Sequence, residues 1–150
     1  MATVFDPATQ DKFLDRMDNL RADMPGLWGR MNAPQMVCHL TDAISIAMGE
    51  ITAPPRPGLL STRFVRWLII SVIPIPRGKA QTSPVFLTTK PGDWASDVAR
   101  LKTKFRGLAA RRHDPATTWP PHPRFGQLSP KQIGMLMAKH VDHHLRQFGV

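Results

Sequence analysis

Two histidines four positions apart, His140 and His144, lie in a stretch whose apolar residues recur at helical spacing, SPKQIGMLMAKHVDHHLRQ at residues 129–147. Stepped at about 100° per residue, Met137, His140, Val141, His144 and Phe148 fall on the same side as Ile133, so both imidazoles face a core. At this spacing the Cβ atoms are about 5–6 Å apart, near enough for two rings to hold one metal ion. The competing reading is a pair of core histidines satisfied by polar neighbours, and the pair alone favours it. A third histidine from another helix reverses the balance. His39, in NAPQMVCHLTDAISIAMGE, lies beside the stripe of Met36, Leu40, Ala43, Ile44 and Ala47; alone it reads as a partly buried structural residue. Together, three neutral imidazoles leave coordination positions for water or substrate, which is the pattern of a catalytic rather than a structural site.

Three further residues are candidates for the surroundings of such a site. Asp42 and Glu50 lie within about 60° of His39 on the helical wheel. Each can orient a ligand N–H from behind or stand as a solvated carboxylate. His122, in the turn HPRFG, can close over the site or hydrogen-bond to its own backbone. His113 and His143 read as exposed. Cys38, one position from His39, points about 100° away and reads as a small buried side chain.

These residues need helices to position them. Asp6 and Pro7 open a first helix reaching about residue 22, with Phe13, Met17 and Leu20 on one face and Pro25-Gly26 as a turn beyond it. Asn32 caps the second helix, which carries His39. After a proline-rich connection at 51–58, residues 60–72 read as a short helix ending at Pro74 and Pro76. Its apolar side, Phe64, Trp67, Leu68 and Val72, is expected to pack on the bundle; a dimer contact or a membrane-surface helix are the sharper readings. Residues 77–92 read as loop or extended. Trp94, Val98, Leu101, Phe105 and Leu108 mark a third long helix over 92–111, and a second proline-dense connection, 113–128, leads to Ser129 and Pro130, the cap and first turn of the last helix. The pattern predicts an all-α fold: one domain over residues 1–150, a four-helix bundle with one extra short helix and long proline-rich connections.

Composition narrows the function classes. The chain of 150 residues has a formal charge of +9, which permits anionic partners. Its densest basic cluster, Lys102, Lys104, Arg106, Arg111 and Arg112, has no interleaved stacking surface and reads as a solvated helix face, so no nucleic-acid partner is expected. The longest apolar run, residues 67–73, is far below a membrane span, and no membrane partner is expected. One cysteine excludes an intrachain disulfide. With no signal-peptide pattern at the start, a reducing, cytoplasmic setting is expected. No glycine-rich phosphate loop, Ser-His-Asp motif, CxxC motif or internal repeat is present.

With His39 in QMVCHLTDA and His140 and His144 in KHVDHHLRQFGV, the chain resembles the DinB-like superfamily, also called YfiT-like metal-dependent hydrolases. More narrowly it is similar to a branch of unknown function, through WGRMNAPQMVCHL, TSPVFLTTKP, HPRFGQLSP and KHVDHHLRQFGV, a likeness spanning residues 28–150. The resemblance implies a four-helix bundle in which these three histidines hold zinc or nickel. It also implies hydrolysis, or transfer assisted by a low-molecular-weight thiol, of a small-molecule substrate. The alternative is a non-catalytic metal-binding or stress-response interaction module of the same fold. Bundles of this kind often pair, and residues 64–72 are the candidate surface should the chain form a homodimer.

Overall fold

The computed structural model of the chain describes residues 2–56, 58–78, 84–114 and 116–150. Among these the fold is all-α: α1 (Pro7–Asp18), α2 (Ala33–Ala47), α3 (Arg63–Ser71), α4 (Trp94–Ala110) and α5 (Pro130–Gln147), with short 3₁₀ turns at Leu59–Ser61, Pro84–Leu87 and Arg111–His113. Part of the loop expected over 77–92 lies outside the described residues; the 3₁₀ turn Pro84–Leu87 occupies its later half.

The two helices that carry histidines start on full capping boxes. Asn32 accepts from the Gln35 N–H while Gln35 returns a bond to the Asn32 N–H, and Ser129 and Gln132 do the same for α5. Both have proline in the first turn, where no N–H is missed. Asp6 caps α1 and Asp93 caps α4. The first helix ends earlier than its apolar spacing predicts, at Asp18. Asn19 caps it by turning its N–H to the Arg16 carbonyl, the Leu20 N–H donates to the Met17 carbonyl, and the Leu20 side chain reaches the core from beyond the helix.

Most of the apolar side chains form one core. Phe13 and Met17 of α1, Met36, Leu40 and Ile44 of α2, Leu101, Phe105 and Leu108 of α4, and Met137, Val141 and Leu145 of α5 belong to it. Helix α4 packs on α1 and α2, and α5 packs on α1, α2 and α3. The segment before α1 crosses α5 at Gly134, where the Val4 N–H donates to the Gly134 carbonyl at 3.1 Å. A Cβ on Gly134 would lie 2.3 Å from Thr3 Oγ1 and 2.4 Å from the Phe5 ring, so only glycine admits the crossing.

A second, smaller core joins Ile70 of α3 to Phe125, Leu128 and Ile133. Here the expected packing is reversed for three of the four side chains on the apolar side of α3, while Leu68 is half-buried. Phe64, Trp67 and Val72 are 69%, 51% and 56% exposed, while Ile70 is buried. Polar clamps decide which side of α3 turns inward. Arg66 donates to the carbonyls of Phe125 (3.1 Å) and Gln127 (2.8 Å). The Lys139 ammonium on α5 donates to the carbonyls of Ile69 (2.5 Å), Ile70 (3.3 Å) and Ile73 at the end of α3.

Candidate metal centre

Helices α2 and α5 bring His39, His140 and His144 to one point. The Nε2 of His140 lies 3.0 Å from His39 Nε2 and 3.1 Å from His144 Nε2. His39 and His144 are 3% and 6% exposed, and His140 keeps part of its surface open.

The hydrogen bonds behind the rings fix two of the tautomers. His39 Nδ1 faces the Phe86 carbonyl at 2.9 Å. A carbonyl can only accept, so Nδ1 carries the proton and Nε2 a lone pair. On the other side, Gln147 Nε2 donates to the Trp28 carbonyl at 2.6 Å, which orients the amide so that Oε1 faces His144 Nδ1 at 2.8 Å. His144 is therefore protonated on Nδ1 as well, with its Nε2 lone pair turned inward. Two lone pairs thus point at His140 Nε2, which has at most one proton to share between them. A single cation satisfies all three nitrogens at once.

The electrostatics keep the trio uncharged at neutral pH. Burial pushes His39 down from its ordinary value and outweighs the bond to Phe86 and the charge of Asp42. Burial and then His39 bring His144 to about 3. Burial, with the neighbouring imidazoles, holds His140 well below the usual range. The spacing fits an ion as well. With nitrogen–metal bonds of about 2.0–2.1 Å, neighbouring ligand atoms stand about 2.9 Å apart at right angles and about 3.4 Å at the tetrahedral angle. The distances from His140 Nε2 to its two neighbours lie between these limits, and the three ligand atoms lie within 4.8 Å of one another. Among the described residues no carboxylate or thiolate joins the group, so three protein donors would leave positions for water or substrate.

The surrounding residues differ from expectation in instructive ways. Asp42 is fully buried rather than solvated, and it does not orient a histidine directly. Its carboxylate accepts the backbone N–H groups of Thr88 (2.7 Å) and Thr89 (2.8 Å) and the Thr89 hydroxyl (2.5 Å). It thereby holds the turn whose Phe86 carbonyl orients His39. Glu50 lies past the end of α2 and pairs with Lys104 at 2.5 Å, with Arg111 at 4.0 Å. His122 is a turn residue: its Nδ1 accepts from the Arg124 and Phe125 N–H groups, and burial lowers it to about 4. Its ring still comes within 6.3 Å of Phe86, which in turn stands 6.2 Å from His39.

His143 is half-buried rather than exposed, 5.8 Å from the Trp28 ring and 5.1 Å from His144; His113 is exposed as expected. Cys38 is buried, and its thiol faces Asp97 at 3.8 Å. Burial and then the Asp97 charge raise its pKa, which keeps the sulfur protonated. Sequence spacing also offered a residue that went unread. Gln147 is three positions from His144 on one helix, where neighbouring side chains meet. The Phe86 carbonyl has no side-chain signature to find.

One family model matches the chain, over residues 9–149, and its description is "Protein of unknown function (DUF1569)". No curated protein and no solved structure matches.

Proposed function

The chain belongs to this family of unknown function, and we propose that it is a metal-dependent enzyme acting on a small molecule. In this reading His39, His140 and His144 hold one divalent ion, zinc or nickel, within a four-helix bundle of the DinB-like kind. The reaction is hydrolysis or a transfer assisted by a low-molecular-weight thiol, in a cytoplasmic setting. The observation that carries it is the convergence of the three Nε2 atoms, two with their protons committed to Nδ1 by Phe86 and Gln147.

A divalent ion in that position lowers the pKa of water or a thiol and polarises a substrate oxygen. The chain's own residues do the rest. Phe86 and Gln147 aim the rings of His39 and His144, and Asp42 holds the Phe86 turn in place. Burial keeps the imidazoles neutral and ready to donate lone pairs. His140 is the one residue of the three not fully buried, so its side is the one from which a small molecule would approach.

Elemental analysis of protein purified without a metal-affinity step tests this. About one ion per chain is expected, lost when His140→Ala and His144→Ala are combined. A folded protein that carries no metal and takes up neither zinc nor nickel on titration removes the proposal.

A further inference from the structure

The +9 charge is not spread over the chain. All eleven acidic residues lie outside residues 51–92 and 115–141, and those two stretches carry nine of the twenty Lys and Arg. The remainder balances, eleven basic against eleven acidic, so the acid-free stretches hold the whole excess. They also build the second core, since Ile70, Phe125, Leu128 and Ile133 all belong to them. The outward side of that core is apolar. Among the described residues, Leu59, Phe64, Trp67, Val72 and Ile73 are five of the seven large hydrophobic side chains left exposed. The rings of Phe64 and Trp67 stand 6.1 Å apart.

We propose that this side of α3, with Leu59, Phe64, Trp67, Val72 and Ile73, docks on an anionic lipid membrane. Aromatic and aliphatic side chains beside cations suit the boundary between headgroups and acyl chains. Among the described residues no helix is long and apolar enough to cross a membrane, so the contact proposed is with its surface. The cations come from the neighbours of α3 more than from α3 itself. Arg66 is turned inward, but Arg63, Arg56 and Arg124 are exposed. The Arg56 N–H donates to the Pro123 carbonyl at 2.7 Å, which places residue 56 beside the turn bearing Arg124. The clamps from Arg66 and Lys139 tie α3 to its neighbours with its apolar side outward.

Two other partners fit less well. Nucleic acid would match the charge and could stack on Phe64 and Trp67, but it offers nothing apolar for Leu59, Val72 and Ile73. A second copy would set this face against itself, and these stretches contain no acidic residue to meet Arg63. The lipid contact stands independently of the metal reading.

Co-sedimentation with vesicles of phosphatidylcholine alone, and of phosphatidylcholine mixed with phosphatidylglycerol, is the test. The protein is expected to pellet with the mixed vesicles only, and less so as salt rises. Phe64→Ala with Trp67→Ala should weaken partition at least about tenfold, with unchanged circular dichroism and metal content. Arg63→Gln and Arg124→Gln should each cost about fivefold at low salt. No partition into anionic vesicles overturns the proposal, as does equal partition by the double aromatic variant. Concentration-dependent dimers, or single-stranded DNA binding, abolished by that variant in place of vesicle binding would assign the face to those partners instead.

Discussion

At the scale of single residues, the candidate centre depends as much on the groups behind the histidines as on the histidines. Asp42 is the clearest case, a buried carboxylate with three donors and none of them a ligand. Asp42→Ala would strand two backbone N–H groups and release the turn carrying Phe86. We expect it to destabilise the fold by about 3 kcal/mol and to weaken zinc binding about 10–100-fold. Urea denaturation and competition against a chromophoric chelator measure the two effects. Gln147→Leu removes the acceptor of His144 Nδ1 and should weaken zinc binding by a similar factor. Wild-type affinity in both variants would mean that neither group orients a ligand.

The helices set what could be read in advance. The meeting of His140 with His144 was legible because helical spacing fixes angular position, and the starts of α2 and α5 because their capping residues are local. The role of Asp42 was not, since its donors lie 46 and 47 positions away in a loop. For α3 the apolar pattern revealed a face but not its direction, which Arg66 and Lys139 impose through carbonyls distant in sequence. The crossing at Gly134 was equally silent. Gly134→Ala should drive the Thr3–Phe5 segment off α5, costing about 1–3 kcal/mol by overpacking. An unchanged urea midpoint would show that the crossing yields freely.

For the whole molecule, the buried imidazoles tie stability to pH. His122 is held at about 4 and His144 at about 3 in the folded chain, against about 6.5 when unfolded. The unfolded state therefore binds more protons in between, and folding weakens as pH falls. The metal-free protein should keep a near-constant melting temperature between about pH 7 and 8, below the titration of the Cys38 thiol. It should lose stability progressively below about 6.5, until His122 and then His144 protonate in the native state. Thermal melts of chelator-treated protein across this range provide the check; a flat profile would contradict the burial of these rings.

The link from His39 to Phe86 also spans 47 positions of the chain, and its partner is a peptide oxygen. Any amino acid at position 86 offers that oxygen, so point substitution there leaves the tether chemically intact. Insertions and deletions are another matter: shifting the register between Asp42's grip on Thr88 and Thr89 and the imidazole would slide the carbonyl away. Loop grafts in this region must conserve length before they conserve identity.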